Sequence, residues 1–296
     1  MAKRKSQSGK SRGKNAAPSL DQIFLEGPFA DIIQQLMSPR IQDEAVDKAQ
    51  QIIFDARDEP SRKKRVTMAK KALAVSPLCA DAYVLLAEDG AETPQQALAF
   101  YRQGVAAGEK ALGDSLQDDA GDFWGLIETR PYMRALQGLA MSLWQTGARD
   151  DAVAKYQEML RLNPEDNQGV RYSLMDCLLT LGRGGDAEKL YTRYKQDCSA
   201  AWSWSRALLQ FRQDGDGAAS RKALARAIDG NSFVRAYLLG DKKLPSRLPD
   251  YMSWGDEDEA MHYAHGAGDI WRSTQGALAW LAAASGGARK ARPSRK

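Results

Sequence analysis

Side chains that carry out chemistry are scarce in this sequence. Its 296 residues hold two histidines and three cysteines. Cys79, Cys177 and Cys198 are odd in number and widely spaced, and neither a disulfide framework nor a CxxC metal or redox pair is indicated. Set among apolar residues at helical spacing, they read as small core residues. GxSxG, the phosphate-binding loop, GxGxxG and HExxH are all absent, so acyl transfer, nucleotide chemistry and zinc proteolysis lack the spacings that support them. Long apolar runs are missing too. AYVLLA at 82–87 and GALAWLAAA at 276–284 fall well short of the roughly 20 residues a membrane helix needs. The start, MAKRKSQSGKSRGKNAAPS, lacks the apolar segment of a secretory signal. A cytoplasmic protein without a membrane span, catalytic activity or cofactor is expected.

Acid is absent from both ends. Lys3, Arg4, Lys5, Lys10, Arg12 and Lys14 precede residue 20, and Arg289, Lys290, Arg292, Arg295 and Lys296 follow residue 285. Without those eleven charges the remainder carries −7, against +4 for the whole chain. Residues 1–19 and 286–296 therefore read as disordered basic tails on a mildly acidic body. Counterion release would let such tails bind nucleic acid, ribosomal RNA or lipid nonspecifically; otherwise they only solubilise.

What the chain does have is helical periodicity. In Met133 to Pro164, Leu136, Leu139, Ala140, Leu143 and Trp144 recur at three-and-four spacing. Gly147 permits a turn, and Ala152, Tyr156, Met159 and Leu160 form a second stripe that Pro164 ends. Two short helices that bury each other are expected, with Ala140 and Ala152 small enough for close approach. This stretch resembles a tetratricopeptide repeat, whose packing residues stand where Leu136, Leu139, Ala140, Leu143, Gly147, Ala152, Tyr156 and Pro164 stand here. The resemblance implies an all-α fold, a right-handed α-solenoid of tetratricopeptide-like helix pairs with helical caps.

About five pairs are expected within 41–285. The first carries Ala49, Ile52, Ile53 and Ala56, then Val66, Ala69, Ala72, Leu73 and Pro77. The second opens on Asp81 and has Thr93-Pro94 as the cap and first turn of its second helix. The central pair follows an insertion at 110–130, acidic at Asp118, Asp119 and Asp122 and then apolar at Phe123, Trp124, Leu126 and Ile127. That apolar part is expected to fold back onto the array. Two further pairs follow, the last with Arg206 where a small residue is usual. Residues 20–40 are expected to cap one end of the array, and the non-repeating residues from 231 to cap the other, as a short helix, a loop and two closing helices.

Two non-repeating stretches carry a narrower likeness. FWGLIETRPYMRA at 123–135, together with Tyr237-Leu238-Leu239, Leu244-Pro245, Gly255-Asp256, Glu259-Ala260, Tyr263-Ala264, Trp271 and Gly276-Ala277-Leu278, resembles the C-terminal half of the suppressor-of-tumorigenicity-seven family and its soluble bacterial relatives. The resemblance covers roughly residues 70 to 282. It implies an interaction role and supplies no catalytic reaction or cofactor.

Three groups of residues are candidates for function. In a tetratricopeptide array the first helix of each pair lines a concave groove, which here would present Arg134, Gln137, Met141 and Gln145, then Tyr172, Asp176 and Thr180, then Ser203, Ala207 and Gln210. A cation, an aromatic face, a thioether and amides suit capture of a peptide or helix from a partner protein. The run Glu128-Thr129-Arg130-Pro131 either flanks that groove or is mechanical, with Thr129 capping the next helix and Glu128 and Arg130 tying down the insertion. His262 and His265, with Asp258 and Asp269, could face a divalent metal from one helix; the plainer reading is an exposed polar face. A peptide-binding adaptor is the leading expectation. A nucleic-acid or ribosome accessory protein anchored by its tails is the alternative.

Overall fold

A computed structural model describes residues 43–284. The tails at 1–19 and 286–296 and the cap expected at 20–40 lie outside the described residues. Within them the chain is all-α. Ten helices follow one another in five pairs: α1 (Glu44–Asp58) with α2 (Arg62–Val75), α3 (Ala80–Leu85) with α4 (Pro94–Leu112), α6 (Arg130–Gln145) with α7 (Arg149–Leu162), α8 (Val170–Thr180) with α9 (Gly184–Arg193), and α10 (Ala200–Asp214) with α11 (Ala218–Gly230). A short helix α5 (Ser115–Asp118) lies in the insertion. A π-helical turn (Leu86–Gly90) extends α3, and α12 (Val234–Leu239), α13 (Glu257–Ser273) and α14 (Ala277–Ala283) close the described chain.

The sequence sets these boundaries locally. Asp43 Oδ1 accepts from the Ala45 amide at the start of α1, and Thr93 Oγ1 accepts from the Gln96 amide at the start of α4, each satisfying a donor the helix leaves open. Gly147 and Gly182 turn the chain at φ +90° and +69°, where a side chain would be strained. Within α1, Ala49, Ile53 and Ala56 share one face and are fully buried. That face meets α2.

Each second helix also rests on the first helix of the next pair: α2 on α3, α4 on α6, α7 on α8 and α9 on α10. Such nearest-neighbour stacking is compatible with a solenoid. The contact between α4 and α6 depends on glycine. A Cβ on Gly138 would stand 2.0 Å from the Tyr101 ring, and one on Gly108 would stand 2.9 Å from Tyr132.

The insertion docks by its backbone. The amides of Gly121 and Phe123 both donate to the Leu162 carbonyl at the end of α7. Phe123 is fully buried, edge-on to Tyr132 at 6.2 Å. Ile127, expected to fold back with it, remains 68% exposed. The Thr129 hydroxyl makes no cap hydrogen bond; it donates to the carbonyls of Phe123 and Leu126. Arg130 Nε donates to the Trp124 carbonyl at 3.0 Å while its guanidinium lies over the Trp124 ring.

Helix α13 crosses the first helices α8 and α10 and packs on α12 and α14. Its Trp271 meets Trp204 of α10 edge-on and stacks on Trp280 of α14, which in turn stacks on Phe211 of α10. Glu259, 3% exposed, accepts from the Ala200 amide at the start of α10, from Asn231 Nδ2 and from the Gly255 amide. A carboxylate at a helix N-terminus satisfies amides that have no partner within the helix.

Candidate interaction cleft

The residues proposed for the groove have separate fates. Tyr172 turns inward: its ring meets the buried Trp202 edge-on at 6.1 Å and its hydroxyl donates to Asp197 Oδ2 at 2.8 Å. Burial, with Asp197 beside it, raises its phenol above the ordinary value. Asp176 lies under α13, where a Cβ on Gly266 would stand 3.5 Å from its Oδ2. Burial pushes its carboxyl up to about 7. Gln210 Nε2 donates to Gln213 and Asp214 of its own helix, and Gln137 accepts from Gln168. Met141 and Gln145 are exposed.

Arg134 alone of that set reaches an open cleft. Its Nε and terminal amino group donate to the two oxygens of Asp81, which is fully buried and also accepts from Gln50 Nε2 at 2.8 Å. Arg57 stands 3.6 Å from the same carboxylate. This buried acid ties together α1, α3 and α6, the first helices of three successive pairs. Above it opens a cleft of about 960 Å³ between α1, the insertion and the start of α6, lined by Val46, Asp47, Gln50, Gln51 and Phe54 on one side and Leu112, Asp114, Asp118, Ile127 and Arg130 on the other. The volume suits a peptide or helix face.

The α1 wall follows from helical spacing. Positions 46, 47, 50, 51 and 54 form the stripe adjoining the buried Ala49, Ile53 and Ala56, so they point away from α2 and into the cleft. Phe54 is 45% exposed there, opposite the exposed Ile127. Periodicity held the signal for Phe54, since it falls outside its helix's buried stripe. Asp81 could not be read as the hub because its partners lie 31 and 53 residues away.

The proposed metal ligands are not drawn together. His262 Nε2 lies 3.0 Å from the Pro249 carbonyl oxygen, Asp258 Oδ1 accepts from two amides, and Asp269 pairs with Arg272. Among the described residues no group of three or more His, Cys, Asp or Glu side chains is placed to hold a metal. No helix of the described residues is long and apolar enough to cross a membrane.

These features define an all-helical protein of adjacent, stacked helix pairs with one end of its first-helix face open. The chain belongs to the ST7 protein family, whose model matches residues 36–294. It is 26% identical over 266 residues to a "Protein ST7 homolog" of Caenorhabditis elegans, covering 75% of this chain and 48% of the relative. It is 28% identical over 255 residues to a "Suppressor of tumorigenicity 7 protein-like" protein of Bos taurus, covering 78% and 45%. The chain thus spans about half the length of these curated relatives. No solved structure matches it.

Proposed function

We propose that the chain is a non-catalytic, cytoplasmic adaptor, a right-handed tetratricopeptide-type solenoid that holds a peptide or helical segment of a partner protein. The docking surface is the cleft between α1, the insertion and α6. One observation carries this reading: Phe54 and Ile127 face an open cleft of about 960 Å³ from opposite walls, whereas the first-helix face farther along the chain is covered by α13. Apolar side chains held in water around a concavity are the usual mark of an interaction site.

The test places a photo-crosslinking side chain at Gln51, on the cleft wall, and another at the exposed Glu165 away from it, in the full chain. A protein captured from Gln51 but not from Glu165, retained at high salt and lost with Ile127→Asp, is the expected result. Retention of nucleic acid alone, lost on deleting 1–19 and 286–296, would replace this reading with the tail-anchored one.

A further inference from the structure

The polar groups around the cleft's apolar walls are mostly of one sign. Asp43 and Asp47 stand on the α1 side, Asp114 and Asp118 on the insertion, and Glu128 just ahead of α6, against Arg130 and Arg134. Arg134 is committed to the buried Asp81, in a cluster where Asp81 and Glu88 stand against Arg57 and Arg134. Arg130 is held against Trp124. Asp47, Asp114 and Asp118 have no ion-pair partner among the described residues. Carboxylates left unpaired on two facing walls repel each other and gain from a cation set between them. Asp47 and Phe54 lie seven residues apart on one helix, so an acidic and an apolar contact share the same wall.

On the reading of the cleft as an interaction site, we infer that its occupant is a cationic amphipathic segment of a partner protein. Its apolar stripe would seat on Phe54 and Ile127 and its flanking Lys or Arg side chains on Asp47, Asp114 and Asp118. An acidic segment of the same apolar pattern would set its own carboxylates against those of the rim and be rejected by like charge.

The inference is tested with two labelled synthetic helices, one of leucine and lysine in amphipathic spacing and one with glutamate replacing every lysine. Binding to the full chain is followed by fluorescence anisotropy at low and physiological ionic strength. The lysine peptide is expected to bind about tenfold more tightly, with an advantage that shrinks as salt rises. Asp47→Lys with Asp118→Lys should abolish or invert the preference, and the same charge change at Glu165 and Asp241, outside the cleft, should leave it. Equal or tighter binding of the glutamate peptide, still lost with Ile127→Asp, would overturn the charge assignment and spare the cleft as a docking site. Binding of either peptide that ignores both Phe54→Asp and Ile127→Asp would remove the cleft itself. Tighter binding of the lysine peptide after deletion of residues 1–19 would identify the chain's own basic tail as the occupant and overturn the assignment to a partner.

Discussion

Asp176 sits on α8 where α13 crosses, facing neither a cation nor a hydrogen-bond donor among the described residues; burial is the cause that moves its carboxyl up to about 7. In the unfolded chain the same group titrates near 3.8. Well below pH 3.8 both states hold the proton and the residue leaves stability unchanged. As pH rises toward 7 the unfolded state ionises while the folded state keeps its proton, so stability falls by about 1.4 kcal/mol per pH unit. Above 7 the folded carboxyl ionises too and the loss stops growing. The full span is about 4 kcal/mol, and because the residue keeps partial solvent contact, screening leaves about 2 kcal/mol. Asp176→Asn keeps the shape and removes the charge. Relative to the unaltered protein, this variant should gain about 2 kcal/mol in stability between pH 4 and pH 8, over and above any constant offset from the amide. Urea unfolding followed by circular dichroism at each pH measures this, and subtracting the two curves cancels every other titrating group. A difference that stays flat with pH would show the folded carboxylate to be ionised and well solvated, refuting the placement of α13 over it.

Gly138→Ala puts a methyl group inside the Tyr101 ring and should destabilise by about 2 kcal/mol, read as a lower Tm; Tyr101→Ala in the same chain should remove most of that penalty. Glu259→Gln leaves at least one of the three N–H donors facing another donor and should lose about 2 kcal/mol. It should also speed protease cleavage in the 241–256 loop, because Glu259 anchors the first turn of α13 to α10.

The all-α architecture was legible because its signals are local. Stripes such as Leu136, Leu139, Ala140 and Leu143 mark one face, and Thr93-Pro94 marks a helix start by chemistry that acts within four residues. The same logic misassigned Thr129. A threonine ahead of a helix can cap it or bond elsewhere, and here the folded-back loop leaves the carbonyls of Phe123 and Leu126 in need of a donor. Ile127 stays in water for a related reason: the turn that buries Phe123 against Tyr132 points Ile127 the other way. Tyr172 and Asp176 were placed on an open face by their helix position, which is correct arithmetic for an empty groove. Trp202, thirty residues on, draws the first inward, and α13, from a segment without repeat periodicity, covers the second.

That covering decides where a partner can bind. Lifting α13 from α8 and α10 would expose Trp204 and Trp271, both fully buried, at about 3 kcal/mol each. It would also leave Glu259 and the amides it satisfies without partners. A ligand could displace α13 only by binding the uncovered face more favourably than all of those contacts, which is a large share of the energy of an ordinary peptide complex. No such cost guards the cleft, where Phe54 and Ile127 are already exposed and Arg134 is already held in place by Asp81. Binding should therefore slow amide hydrogen exchange in α1 and in residues 114–131 while leaving exchange in α13 unchanged. Slower exchange in α8 and α10 accompanied by faster exchange in α13 would mean that α13 is displaced, and that the covered face is the docking surface instead.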